Sequence, residues 1–197
     1  TRPSMTSTIT ALLDANVLFG TRLRSLLMEL AVSGLFRARW SPEIHREWMN
    51  AVSEKRGISI SQLEPTRVAM DESVPDGCVT GYEDLINALT LPDPNDRHVL
   101  AAAIHCGANV IVTFNEADFP AEAMQEYALR TWDPDSFINA LAGIDPGALI
   151  EAARHDIAHY KNPPLTIDEY IGGLRAAGVP LAADRLAVAL GSHSHGE

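Results

Sequence analysis

The chain has 197 residues, 46% of them hydrophobic and 21% charged, which suits one well-buried core with a small appendage and argues against a disordered chain. No run approaches the roughly 18 uninterrupted apolar residues of a membrane helix, and TRPSMTSTIT lacks the apolar stretch of a signal peptide, so a cytoplasmic protein without membrane contact is expected. The net charge of −11 argues against a uniformly basic nucleic-acid binder, yet residues 1–70 hold nine Lys or Arg against six acids while residues 71–197 hold six against twenty.

The cations Arg22, Arg24, Arg37, Arg39, Arg46, Lys55, Arg56 and Arg67 are therefore candidates to line one face, with a scattered solvated surface as the alternative. Cys78 and Cys106 have no CxxC spacing and apolar neighbours, and read as reduced, mostly buried thiols. Met5 is a candidate natural start, which would make Thr1–Ser4 a remnant, and the terminal SHSHGE reads as a loose tail.

Strand and helix signals alternate along the first two thirds. ITALLD (9–14) reads as a strand, followed by a helix through RLRSLLMELAVS that stops at Gly34. LFRARW (35–40) is a second strand; Ser41 then caps, and Pro42 opens, a helix containing EIHREWMNAV. SQLE (61–64) has capping-box spacing, GCVT (77–80) is a candidate short strand and YEDLINAL a further helix. In DPNDRHVLAAA, Asp93 is placed as N-cap, Pro94 as the first helical residue and Asp96 as the third, in a helix running to Gly107. NVIVTF (109–114) is apolar and β-branched, as a strand covered on both faces would be, and LRTW (129–132) is a candidate last strand. From Asp133 only helices follow, including a second Asp-Pro start in DPDSFINAL and a Thr166 to Glu169 capping box, with NPPL (162–165) as hinge or linker.

This alternation predicts an α/β domain with a mostly parallel sheet, in which ligands bind beyond the carboxyl ends of the strands. Asp14 ends the first strand, with Asn16 two residues on. On the helix after the second strand, Glu47 lies at the edge of the stripe Ile44, Trp48, Ala51 and Val52, while Glu43 falls toward solvent. On the helix after Asp93, Asp96 aligns with the apolar face of Val99, Leu100, Ala103 and Ile104, whereas His98 and His105 point the other way. Asn115 and Asp118 follow the NVIVTF strand. Carboxylates gathered at one apolar rim resist ionisation and call for a cation, and an oxygen-rich set without cysteine favours Mg²⁺ or Mn²⁺ over zinc. Two such ions roughly 3.5 to 4 Å apart would activate a water and stabilise the leaving oxygen in phosphodiester hydrolysis.

LLDANVLF, SPEIHREW, LPDPNDRHVLAAAI and GANVIVTFNEADFP together resemble the PIN-domain family, and within it the VapC-type ribonuclease toxins, over residues 8–140. The resemblance implies a three-layer α/β/α domain with a mostly parallel central sheet, residues 141–197 forming a helical C-terminal extension. It also implies metal-dependent endonucleolytic cleavage of RNA. Asp14, Glu47 and Asp96 match the family's catalytic, metal-binding acids. Asn115 stands where many relatives carry a fourth acid, and Asp118 is either its substitute as a metal ligand or a turn cap. Asp93 is an additional acid or simply the N-cap, Asn16 a hydrogen-bonding support for Asp14, and Arg97 a candidate to pair with the acids or a substrate phosphate. A small antitoxin and a homodimer are the protein partners the resemblance implies.

Competing signals are weaker. DANV lacks the second acid of the haloacid-dehalogenase DxD, and no GxxxxGK or GxGxxG occurs. His155 and His159 have i, i+4 spacing without the Glu of HExxH and read as ordinary helix surface, with no zinc assigned. Trp40, Trp48 and Trp132 are read as core rather than base-stacking residues. The alternatives kept are a non-catalytic PIN-like module binding RNA or protein through a degenerate metal site, and a nuclease acting on DNA.

Overall fold

Four short strands, β1 (Thr10–Leu13), β2 (Arg37–Arg39), β3 (Val110–Val112) and β4 (Arg130–Trp132), form one parallel sheet in the order β2-β1-β3-β4. They belong to a computed structural model that describes residues 8–191, so Met5 and the tail of residues 192–197 lie outside the described residues. Ala11, Leu12, Leu13, Ile111 and Val112 have no solvent exposure, because β1 and β3 are central and covered on both faces.

Parallel neighbours require crossovers, and helices supply all three. Helices α1 (Ala15–Leu18) and α2 (Thr21–Val32) join β1 to β2. Between β2 and β3 come α3 (Pro42–Arg56), α4 (Ile60–Ser73), α5 (Glu83–Ile86) and α6 (Arg97–His105), and α7 (Ala121–Gln125) precedes β4. After the last strand the chain is helical only: α8 (Pro134–Ile144), α9 (Pro146–His159), α10 (Ile167–Ala176) and α11 (Pro180–Leu190). The architecture is the expected α/β/α domain with a helical C-terminal region, and α8 runs continuously through residue 140. Among the described residues no helix is long and apolar enough to cross a membrane.

Capping chemistry sets most helix starts. Ser41, Asp133, Asp145 and Thr166 each accept a backbone N–H in the first turn, the first three with Pro directly after. Several local expectations are corrected. The box of α4 is formed by Ser59 and Gln62, two residues before SQLE, since Ser59 is the residue left in extended conformation ahead of the helix. GCVT makes only an isolated parallel bridge between Trp40 and Cys78, and YEDLINAL contributes a single turn, α5. Residues Pro94–Asp96 form a 3₁₀ turn capped by Asp93, and α6 begins only at Arg97.

The eight N-terminal cations do not make one face. Arg24 is buried, its Nη1 donating to Leu18 O at 2.7 Å and its guanidinium 4.7 Å from the Trp48 ring; burial, helped by the charge of Arg56, pulls its pKa down to about 10. Arg46 is paired with Glu43, and Arg67 with Glu64 and Asp71. Trp40 and Trp48 are fully buried and Trp132 is half-buried. Cys78 and Cys106 are free and half-buried, and burial pushes both thiols up.

The C-terminal helices dock through polar groups as well as apolar ones. Phe137 of α8 meets Phe36 edge-on at 5.1 Å, both rings essentially buried. Asp156 of α9, with no exposure, accepts Ser25 Oγ of α2 at 2.5 Å and Tyr170 OH of α10 at 2.9 Å. Asp135 accepts the backbone N–H groups of Leu181 (2.8 Å) and Ala182 (2.9 Å), fixing the start of α11 against α8. His155 and His159 are exposed on α9, both beside the Glu29 carboxylate at 2.7 and 3.4 Å. The ligand atoms of these three residues lie within 4.8 Å of one another, a grouping the chain's local spacing did not reveal and one that hydrogen bonding accounts for.

Candidate active site

Asp14 occupies the last rung between the two central strands, its N–H donating to Val112 O at 3.0 Å. Its Oδ1 accepts Ala15 N (2.7 Å), capping α1, and its Oδ2 accepts both Thr113 Oγ1 (2.8 Å) and Asn16 Nδ2 (3.0 Å). Asp14 as a residue is 8% exposed. Burial raises its pKa against these donors, and the charge of Glu47 raises it further while His98 opposes.

Asn16 braces this corner from two sides. Its Nδ2 also donates to Thr113 Oγ1 at 3.0 Å, and its Oδ1 accepts Phe114 N at 3.1 Å, so one side chain ties the end of β1 to the loop after β3. Thr113, fully buried, additionally accepts Asn115 N at 3.1 Å. The sequence reading missed Thr113 because a β-branched residue in NVIVTF serves as strand former whatever its hydroxyl does. Its position directly after the last apolar strand residue was the available signal.

Glu47 lies on α3 with its side chain 39% exposed, and its Oε1 is 2.9 Å from Nε2 of His98 on α6. This corrects the placement of His98, which is buried and turned toward the acids rather than away from them. Burial lowers the His98 pKa, but the hydrogen bond its ring donates to Glu47 and the charges of Glu47, Glu43 and Asp14 outweigh it and leave it raised. Glu43 is likewise corrected: it is half-buried, and its carboxylate groups with Glu47 and His98, their ligating atoms all within 4.8 Å.

Asp96 ends the 3₁₀ turn, half-buried, with no capping bond from its side chain. Burial, followed by the charges of Asp118, Asp14, Asp93 and Glu47, pushes its pKa up to about 6. Four elements thus deliver their acids to one neighbourhood. The three fully buried alanines, Ala101, Ala102 and Ala103, let α6 lie close to β1 and β3 and hold Asp96 at their edge. Asp14, Asp96 and Asp118 form no set with all ligating atoms within 4.8 Å; Asp118 and Asp14 act on Asp96 by charge.

The remaining candidates separate. Asp118, half-buried at the end of the 3₁₀ turn Glu116–Asp118, exerts the largest charge effect on Asp96. Asn115 is exposed and offers its backbone N–H to Thr113. Asp93 is exposed, accepts Asn95 N at 2.8 Å and caps the turn that carries Asp96. Arg97 folds back, Nε donating to Pro94 O at 3.0 Å, and makes no ion pair with the acids among the described residues, contrary to one role expected for it.

With this geometry in place, comparison with known proteins is decisive for family. A family model described as "PIN domain" matches residues 10–117, more than half of the chain. The chain belongs to the PIN-domain family. A second model, "VapC50 C-terminal domain", matches residues 134–188 of this PIN-domain protein, the helical region after β4. A curated relative described as "Putative ribonuclease VapC50", from Mycobacterium tuberculosis, is 37% identical over 98 residues, 48% of this chain and 57% of the relative. The match therefore spans little more than half the relative's length. No solved structure matches. The PIN match includes Asp14, Glu47 and Asp96 and stops one residue before Asp118.

Proposed function

We propose that this PIN-domain protein is a metal-dependent endoribonuclease using Mg²⁺ or Mn²⁺, and the toxin of a type II toxin-antitoxin pair acting in the cytoplasm. One observation carries the reading: Asp14, Glu47, Asp96 and Asp118 converge where β1 and β3 end, with Asp96 pushed up to about 6 by burial and by the other acids. Mutual repulsion of this kind is relieved by a cation. The residues present fit a hard ion: the acids offer oxygen only, and Asp14 is already oriented by three donors. Asp14, Glu47 and Asp96 would hold it, with Asp118 as a further ligand. When bound, the ion supplies activation of the attacking water and neutralisation of charge developing on the phosphodiester.

The chain's own groups prepare that chemistry. Thr113 and Asn16 fix the Asp14 carboxylate, His98 fixes Glu47, and Asp93 shapes the turn that presents Asp96. Residues 8–140 carry the reaction in this reading, and residues 141–197 contribute to RNA or partner grip. The similarity to a protein named as a ribonuclease, and the matching C-terminal segment, support RNA as substrate. A small antitoxin and a second copy of the chain are the protein partners it entails.

The test is RNA cleavage with Mg²⁺ or Mn²⁺, repeated with chelator and with Asp96→Asn, and with DNA as a parallel substrate. Cleavage of RNA that disappears in both controls is expected; activity surviving Asp96→Asn would refute the mechanism, and RNA binding without cleavage would favour a non-catalytic module. Toxicity on expression, relieved by co-expression of the neighbouring gene, tests the toxin role.

A further inference from the structure

A cleft of about 380 Å³ opens between the PIN core and α10, lined by Asn16, Arg22, Arg56 and Phe114 from the core and Gly173 and Ala177 from the C-terminal side. It adjoins the acids directly, since Asn16 both lines the cleft and hydrogen-bonds Asp14. Its size falls within the range of small-ligand sites.

Its chemistry runs against that of the chain, whose net charge is −11. Arg22 packs its guanidinium between Tyr160 (4.8 Å) and Tyr170 (5.1 Å), yet its buried Nε and Nη1 find no hydrogen-bond acceptor. Contact with the two rings accounts for the position of the cation and leaves these donors unmatched, although buried donors are nearly always paired. Arg56, exposed, reaches Thr21 Oγ1 at 3.3 Å and stands 4.7 Å over the Phe19 ring, with Lys55 Nζ 5.3 Å over the same ring. Neither arginine has a carboxylate partner among the described residues. The charge of Arg56 is felt by buried Arg24, so a further guanidinium stands close behind Arg56.

Phe114 adds an aromatic surface, 41% exposed although it follows directly on a buried strand. The C-terminal segment is shaped to both groups. A Cβ at Gly173 would lie 3.2 Å from Arg22 Nε, and one at Gly178 (φ +87°) would lie 3.0 Å from the Phe114 ring. Backbone is therefore brought close to each side chain, and at Gly178 the positive φ also favours glycine.

We infer that this cleft is a subsite for single-stranded RNA, in which exposed Arg56 binds a backbone phosphate, Arg22 behind it adds its positive charge, and Phe114 stacks on a base of a nucleotide flanking the cleaved bond. Guanidinium forks match phosphate geometry, and an exposed ring beside them gives sequence-tolerant stacking. The inference rests on the nuclease reading for its substrate, and it assigns the C-terminal helices a part in gripping RNA.

The experiment separates the two. Anisotropy of a short fluorescein-labelled single-stranded RNA of mixed sequence is measured with the full chain in chelator, where no cleavage is required, over a range of salt. Arg56→Gln and Phe114→Ala, both at exposed positions, are each expected to weaken binding about tenfold. The slope of log affinity against log salt should fall by about 0.7 for Arg56→Gln and stay unchanged for Phe114→Ala. Arg22→Gln should weaken binding and flatten the slope likewise, with a thermal melt as its folding control. In cleavage assays the variants should raise KM more than they lower kcat. Affinity within about twofold of the parent for both Arg56→Gln and Phe114→Ala overturns the subsite, even if the parent cuts RNA. Absence of cleavage with normal variant-sensitive binding refutes the nuclease reading and leaves the subsite standing.

Discussion

Glu47 and His98, 51 residues apart in the chain, meet through a 2.9 Å hydrogen bond between Oε1 and Nε2 that joins α3 to α6 beside the acidic cluster. The pair makes a histidine part of the candidate site. The folded-state pKa of His98 is raised, so its stabilising contribution is complete below the unfolded value near 6.5 and is lost as pH rises through the folded value. His98→Ala should therefore cost about 1 kcal/mol more at about pH 5.5 than at about pH 9, the figure kept small because Glu47 is partly solvated. Urea unfolding of parent and variant at the two pH values measures this; an equal cost at both would show that the pair carries no charge-dependent stability.

Thr113 presents its hydroxyl to Asp14 Oδ2 at 2.8 Å in a fully buried position. Thr113→Val keeps the shape but removes that donor and the acceptor used by Asn16 and Asn115. A loss of about 1–3 kcal/mol is expected in chemical denaturation. RNA cleavage should fall at least about tenfold through loss of Asp14 orientation, and Thr113→Ser should recover most of both. Full activity in the valine variant would remove Thr113 from the site.

Asp96, with a folded pKa of about 6 against an ordinary value of 3.8, is a carboxylate whose ionisation opposes folding in metal-free protein. The penalty is absent below about pH 4, grows between about 4 and 6, and is complete above about 6. In chelator, Asp96→Asn should therefore melt at higher temperature than the parent at neutral pH, and the two curves should converge near about pH 4. Added Mn²⁺ should raise the melting temperature of the parent and have little effect on the variant. A variant less stable than its parent at neutral pH in chelator would contradict the repulsion assigned to this cluster.

Asp156 accepts Ser25 Oγ and Tyr170 OH with no solvent exposure, linking the PIN core to α9 and α10. Asp156→Ala strands both hydroxyls and should cost about 3 kcal/mol or more. Limited proteolysis should then release the C-terminal helices before the core is cut. Unchanged proteolysis together with unchanged stability would show that this contact does not dock them.

Much of the framework was legible without coordinates. Ser41-Pro42, Asp133-Pro134, Asp145-Pro146 and the Thr166–Glu169 box mark helix starts through contacts within four residues. The apolar runs of β1 and β3 mark strands covered on both faces, and their ends locate Asp14 and the Asn115–Asp118 loop. Such signals survive in sequence because capping bonds and hydrophobic periodicity are local.

The tertiary structure decided what these residues face. A single helical wheel from Asp93 misplaces His98, because Pro94–Asp96 turn as a 3₁₀ helix and α6 starts its own phase at Arg97. Thr113 reaches Asp14 across 99 residues, Asp118 rather than Asn115 exerts the leading charge on Asp96, and Arg24 goes inside while Arg22 lines a cleft against Gly173. Which residues are acids, caps and strand formers is written one position at a time. Which carboxylate lies opposite which donor depends on how the crossovers bring β1, α3, α6 and the loop after β3 to one edge, and long-range packing alone sets that.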